Sequence, residues 1–119
     1  MSAGSGDEWL LISDVDDTLT GDERALRAFV DAVAGNAPKL KVALNSSRPA
    51  ASVDRTVAEV FPADFKPDAI ITAMGTQIRI DGQWADDWTD RFAGWPRAAI
   101  AAVVAGLGHR AHDEEYQTE

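Results

Sequence analysis

An α/β fold built on a parallel sheet is what this sequence predicts, and three observations carry that expectation. Short continuous apolar runs stand at residues 9–13, 40–45 and 69–72. Between them lie stretches whose apolar residues recur at helical spacing. Helix start and stop signals separate the two kinds of segment.

Residues 1–8 are small, polar and acidic and are expected to form a flexible leader. Trp9 to Ser13 is apolar, too short for a helix and followed by acids, so it is expected to form a buried strand of a parallel sheet. Thr20 and Glu23 have the spacing of a capping box, which starts a helix carrying Leu26, Phe29, Val30 and Val33 on one face; Gly35 and Asn36 stop it. Leu40 to Asn45 forms the second strand. Pro49 suits the first turn of a helix whose apolar face is Val53, Val57, Val60 and Phe61, before Pro62. Ala69 to Thr72 is the third buried strand. Strand, helix, strand, helix, strand predicts parallel pairing with right-handed crossovers, a Rossmann-like core with helices on both faces.

The pattern then changes. Residues 76–84 alternate in polarity around Asp81 and Gly82, a hairpin signal. Ile100, Val103, Val104 and Leu107 mark a further helix, opened by Pro96. The division expected is a core at residues 9–85 and, from 86 to 119, the start of a second α/β module that is cut short.

Composition narrows the function. The 119 residues are 45% hydrophobic, enough for one small core, and carry a net charge of −9. That charge argues against nucleic acid and anionic membranes as partners, since both require clustered Lys and Arg. The absence of cysteine excludes a disulfide scaffold, a thiolate zinc site and a cysteine nucleophile. Residues 1–8 lack a basic-then-apolar signal pattern, and no apolar run approaches membrane-spanning length. A soluble cytoplasmic protein is the expectation.

Asp14, Asp16 and Asp17 stand where the first strand runs out, and in an open α/β sheet ligands bind outside the carboxyl ends of strands. Asp14 and Asp16 are two apart, so an extended segment points them the same way. Carboxylates crowded in this manner are best tolerated beside a cation such as Mg²⁺. The plain alternative is an Asp-rich turn or helix cap, but the capping signal falls later, at Thr20. At the end of the second strand lies Asn45-Ser46-Ser47-Arg48-Pro49. A hydroxyl beside helix N-terminal N–H groups there makes an anion site, with Ser46 supplying the hydroxyl and Ser47 the next N–H; a simple serine cap is the alternative.

The stretch from Asp14 to Thr18, DxDxT, resembles the first motif of haloacid dehalogenase-type phosphatases, and Ser46 matches the Ser/Thr of their second. Within that superfamily the runs 10–18, 46–48, 68–76 and 83–88 are similar to the sucrose-phosphate phosphatase group. The resemblance implies a sugar phosphate as substrate, sucrose 6-phosphate first. Asp14 would be the nucleophile, forming an aspartyl-phosphate, and Asp16 the general acid and then base. Mg²⁺ would be held by Asp14 and Asp16, and the phosphoryl oxygens by Ser46 and Ser47. Association with a sucrose-phosphate synthase-type enzyme is a further expectation raised by the family.

This chain departs from the pattern at Asp17, where the group usually has Asn, at Leu19 and Thr20, which replace Trp-Val, and at Ser47, which replaces Gly. These bear on the substrate more than on the reaction. The family also uses a third-motif lysine and a fourth-motif acidic pair. Lys39, Lys41 and Lys66 lie at the starts of strands, the wrong edge of the sheet, so the chain reads as an N-terminal portion with little or no activity alone. Related phosphatases acting on trehalose-, mannosylglycerate- or glucosylglycerol-phosphate share these motifs and remain alternatives. So do a non-catalytic remnant and a receiver-like signalling module, although the strand of residues 69–72 lacks a receiver's phosphorylated Asp. His109 and His112 lie in a polar tail without partner ligands, and Asp113, Glu114 and Glu115 read as a solvated charge run. Trp84, Trp88 and Trp95 are expected to pack rather than to stack on a sugar, and Arg48 could reach substrate or pair with a neighbouring acid.

Overall fold

The structure, a computed structural model, describes residues 6–108. Five strands form one sheet in the order β1 (Trp9–Asp14), β2 (Leu40–Asn45), β3 (Ala69–Thr72), β4 (Gln77–Ile80) and β5 (Gln83–Trp84). The β1–β2 and β2–β3 pairings are parallel, and β3–β4 and β4–β5 are antiparallel. Helices α1 (Glu23–Asn36) and α2 (Ala50–Glu59) make the two crossovers, and α3 (Asp86–Asp90) and α4 (Arg97–Gly106) follow the sheet. The α/β class with a parallel core is therefore the one expected. No helix among the described residues is long and apolar enough to cross a membrane.

Local chemistry accounts for the boundaries. The expected capping box does not form: Asp22, not Thr20, caps α1, its carboxylate accepting the Ala25 N–H at 3.0 Å from an extended backbone. Thr20 is taken up one turn earlier, its hydroxyl donating to the Val15 carbonyl at 3.4 Å and accepting the Asp17 N–H at 3.3 Å. Pro49 precedes the first residue of α2 and Pro96 that of α4. The β4–β5 turn places Asp81 at φ 49° and Gly82 at φ 81°, the paired left-handed residues that a two-residue hairpin requires.

One apolar cluster packs the first two helices onto the sheet. Val15, Leu26, Val30, Val42, Leu44, Phe61 and Phe65 are buried, with Phe29, Val33 and Val57 packed against them. Phe61 and Phe65 stack at 5.2 Å, and Phe29 meets Phe65 edge-on at 6.3 Å. Because α1 and α2 both contribute to this cluster, they cover the same face of the sheet, as two crossovers of one hand stepping in one direction require. The second helical layer expected on the opposite face is not formed by α1 or α2. Alternation places Leu10, Ile12, Ala43, Ala69, Ile71, Ile78 and Ile80 on that opposite face.

The first strand is consequently not the buried one expected. Trp9, Leu10, Leu11 and Ile12 are 64%, 60%, 39% and 53% exposed. Among the described residues β1 lies at the end of the sheet order, and its apolar run records a capacity for burial that these residues do not fill. α4 likewise has no buried residue.

An ion-pair clasp supports the helical face. Arg27 of α1 meets Asp31 at 2.6 Å and spans to Asp64, beyond α2, at 2.9 Å. The hydrogen bonds from Arg27 hold the Asp64 carboxyl below its ordinary range. The stabilisation is therefore present above the carboxylate's unfolded value and lost as pH falls through the lowered one.

Two outcomes follow for urea unfolding. Leu44→Ala, at a fully buried site, lowers stability by about 2–5 kcal/mol, whereas Ile12→Ala costs below about 1 kcal/mol; equal losses would contradict the one-sided core. Asp64→Asn flattens part of the acid-side loss of stability, an effect that shrinks with added salt, while an unchanged acid profile would show that the clasp contributes nothing.

Candidate active site

Parallel pairing builds the site. The β1–β2 register sets Asp14 opposite Asn45, so the loop after β1 and Ser46 emerge side by side, on strands about 4.8 Å apart. β3 continues the row: Ile71 is the partner of Asn45, and the Ser46 N–H donates to the Ile71 carbonyl at 2.9 Å. Three strand tips thus present Asp14, Ser46 and Thr72 along one edge of the sheet.

The loop after β1 is tied around one buried side chain. Val15 is fully buried, and its carbonyl accepts the N–H groups of Thr18, Leu19 and Thr20 at 3.3, 3.0 and 3.2 Å. This tight turn turns Asp14 and Asp16 outward, both exposed, and holds Asp17 at φ 58°, the left-handed region that aspartate tolerates better than most side chains. The Thr18 hydroxyl donates to Asp14 Oδ2 at 3.1 Å, fixing the carboxylate.

At the tip of β2, Ser46 is buried and its Oγ accepts the Arg48 N–H at 3.1 Å. A hydroxyl has one proton to give, and that use as acceptor leaves it for an incoming oxygen. Ser47 is exposed, and its N–H makes no hydrogen bond among the described residues. α2 begins immediately afterwards, with no side chain capping its N-terminus, so the partial positive charge of its first turn lies next to Ser46 and Ser47.

Arg48, whose role the sequence left open, pairs with the neighbouring acid. Its Nε lies 3.0 Å from Asp16 Oδ2, as an ion pair without an aligned hydrogen bond. Its two terminal nitrogens donate to Ser52 Oγ at 2.9 Å and Thr56 Oγ1 at 3.0 Å on α2. The acid loop is thereby tethered to the second helix. Thr72, fully buried, has a hydroxyl with no hydrogen-bond partner among the described residues; nothing in its tetrapeptide strand AIIT singled it out in the sequence.

Other singled-out residues lie elsewhere. Lys39 and Lys66 precede β2 and β3, and Lys41 is the second residue of β2, 3.9 Å from Asp68. All three are at the opposite end of the strands from Asp14. The tryptophans do not converge: Trp84 sits under the Arg79 guanidinium at 5.0 Å, Trp88 donates to the Gly75 carbonyl at 2.8 Å and meets Phe92 edge-on, and Trp95 is exposed. His109, His112 and the acids 113–115 fall outside the described residues. Among the described residues no group of three His, Asp or Glu side chains is placed to hold a metal ion. Asp14 and the Asp16 carbonyl nevertheless offer oxygen donors of the kind Mg²⁺ takes, one or two from protein with phosphate and water completing the shell.

Known proteins share this fold. The sucrose-phosphatase of Synechocystis sp. PCC6803, solved in complex with sucrose and phosphate, superposes with a TM-score of 0.82 at 24% identity, over 95% of this chain and 46% of that one. A haloacid dehalogenase-like hydrolase protein from Bacillus subtilis gives 0.58 at 17% identity, over 86% and 50%. At these identities the likenesses establish the fold, and the chain spans about half the length of each solved protein. No curated protein matches it. The sequence model of sucrose-6F-phosphate phosphohydrolase matches residues 7–119, nearly the whole chain. The chain therefore belongs to the sucrose-6F-phosphate phosphohydrolase family.

Proposed function

We propose that this chain carries the nucleophile and phosphate-binding part of a Mg²⁺-dependent phosphomonoester hydrolase acting on a sugar phosphate, with sucrose 6-phosphate the first candidate. The observation that carries this reading is the in-register pairing of Asp14 with Asn45, which sets an acid pair beside the Ser46 hydroxyl. Family membership favours the sucrose ester over the trehalose, mannosylglycerate and glucosylglycerol esters. The helices that follow the sheet, α3 and α4, are read as the beginning of a sugar-binding cap from residue 86.

In this reading a bond forms between an Asp14 carboxylate oxygen and phosphorus as the bond from phosphorus to the sugar oxygen breaks. The departing oxygen takes its proton from Asp16. A water then attacks phosphorus, gives its proton to Asp16 and releases Asp14 with inorganic phosphate. The Ser46 hydroxyl and the Ser47 N–H hold the equatorial oxygens as charge builds on them. Thr18 keeps the Asp14 carboxylate in line, and Arg48 anchors Asp16 to α2. Bound Mg²⁺, held by Asp14 and the Asp16 carbonyl, would supply charge neutralisation between two anions that otherwise repel.

Acetyl phosphate tests the first half-reaction without a sugar, because its leaving group needs no proton. With Mg²⁺, mass spectrometry is expected to place a phosphoryl group on Asp14, absent in Asp14→Asn and after chelation. A label on a mid-chain aspartate would instead support the receiver-like alternative. Asp16→Asn is expected to take the label and keep it about 10²-fold longer or more, having lost its base; a label released at the unaltered rate would remove Asp16 from the mechanism.

A further inference from the structure

The turn at the tip of β3 is held in a costly conformation. Ala73, Met74 and Gly75 follow one another in the left-handed region, at φ 50°, 57° and 84°. Glycine adopts that region freely, but alanine and methionine stay there only when neighbouring groups hold them. Within the turn, the Thr76 N–H and hydroxyl both donate to the Ala73 carbonyl, at 3.1 and 2.7 Å. Its two ends are tied to different parts of the chain. The Ala73 N–H donates to the Arg48 carbonyl at 2.8 Å, in the loop that carries Ser46. The Trp88 indole N–H donates to the Gly75 carbonyl at 2.8 Å, from α3. That indole has a fixed place of its own. Its ring meets Phe92 edge-on at 5.6 Å and lies under the Arg91 guanidinium at 5.1 Å. The start of α3 is in turn anchored to β4, where the Ala85 N–H donates to the Ile78 carbonyl at 2.9 Å.

We propose that Trp88 is a positioning residue for the Ser46 hydroxyl, acting through this turn and the backbone of Arg48. Arg48 passes the restraint on: its carbonyl accepts from Ala73, and its N–H donates to Ser46 Oγ at 3.1 Å. Because Arg48 precedes Pro49, its backbone has little freedom to absorb a shift between those two bonds. The bond to Ser46 occupies a lone pair of the hydroxyl and directs its proton toward an incoming oxygen. This inference deepens the phosphate reading of Ser46 and rests on it. Without the indole N–H, part of the population leaves the left-handed turn, and the affinity for phosphate falls with the fraction that remains competent. The coupling is reciprocal, so phosphate held at Ser46 also holds the indole against Gly75.

The test uses the full chain, isotope-labelled for nuclear magnetic resonance, with inorganic phosphate as the probe and Mg²⁺ in fixed excess. Trp88→Phe deletes the N–H and keeps a ring against Phe92 and Arg91. It is expected to weaken phosphate binding about fivefold, read from the amide shifts of residues 46–48. Trp95→Phe, the same change at an exposed position of the same segment, is expected to leave binding unaltered. In the unaltered chain, saturating phosphate is expected to slow exchange of the Trp88 indole proton by a comparable factor and that of Trp95 not at all. This second measurement decides if Trp88→Phe fails to fold. A purely structural Trp88 would lower stability while phosphate affinity and indole exchange stay as they were; that result overturns the proposal, as do equal losses in the two variants. If the unaltered chain shows no phosphate-dependent shift at residues 46–48, the reading of Ser46 fails and this inference with it; ordinary shifts beside an indifferent Trp88 remove the inference alone.

Discussion

The parallel ladder between β1 and β2 is the constraint on which the site rests. Because Trp9 pairs with Leu40 and every following residue stays in step to Asp14 and Asn45, two loops from distant parts of the chain leave the sheet at the same height. A slip of one residue would turn Asp14 to the other face relative to its neighbour and carry Ser46 out of line. What pins the register is burial on the helical side. Val42 and Leu44 are fully enclosed beneath α1 and α2, and Val15 closes the cluster at the end where the acids begin. The core thus lies directly under the chemistry, and Val15 belongs to both: its side chain fills the core while its carbonyl gathers the turn that aims Asp14 and Asp16 outward.

Much of this was legible in the sequence because the signals are local. The second and third strands begin and end where their apolar runs do, and Asp81-Gly82 specified the hairpin because few residues accept two successive left-handed conformations. The acids and the serine were legible from their places at strand ends. The misreadings arose where a local pattern had two uses. Thr20 and Glu23 have capping-box spacing, yet Asp22 lies closer to the helix and Thr20 was needed by the Val15 turn. The apolar run of β1 signals burial, but which neighbour buries it is a property of topology, not of the run. The contact of Arg48 with Asp16 crosses thirty-two positions of sequence, and no pattern within either segment announces it. Thr72 is silent for the same reason, since its isolation follows from what surrounds the strand tip.

The electrostatics of the molecule and its exposed edge are related. Arg48 is the cation the structure places against the acid loop, while the lysines stand at the far end of the strands. The helical face is complete, clasped by Arg27 and by the Arg79–Asp54 pair between β4 and α2. Among the described residues, the outer edge of β1, beside the same acids, leaves apolar surface exposed.

The central claim is that both strand tips grip a single phosphoryl group. Titrating inorganic phosphate with Mg²⁺ into the labelled chain and following backbone amides tests it directly. The account predicts that signals from residues 14–18 and from residues 46–48 move together along one binding curve. Shifts confined to one of the two loops, or two curves with separate midpoints, would contradict it.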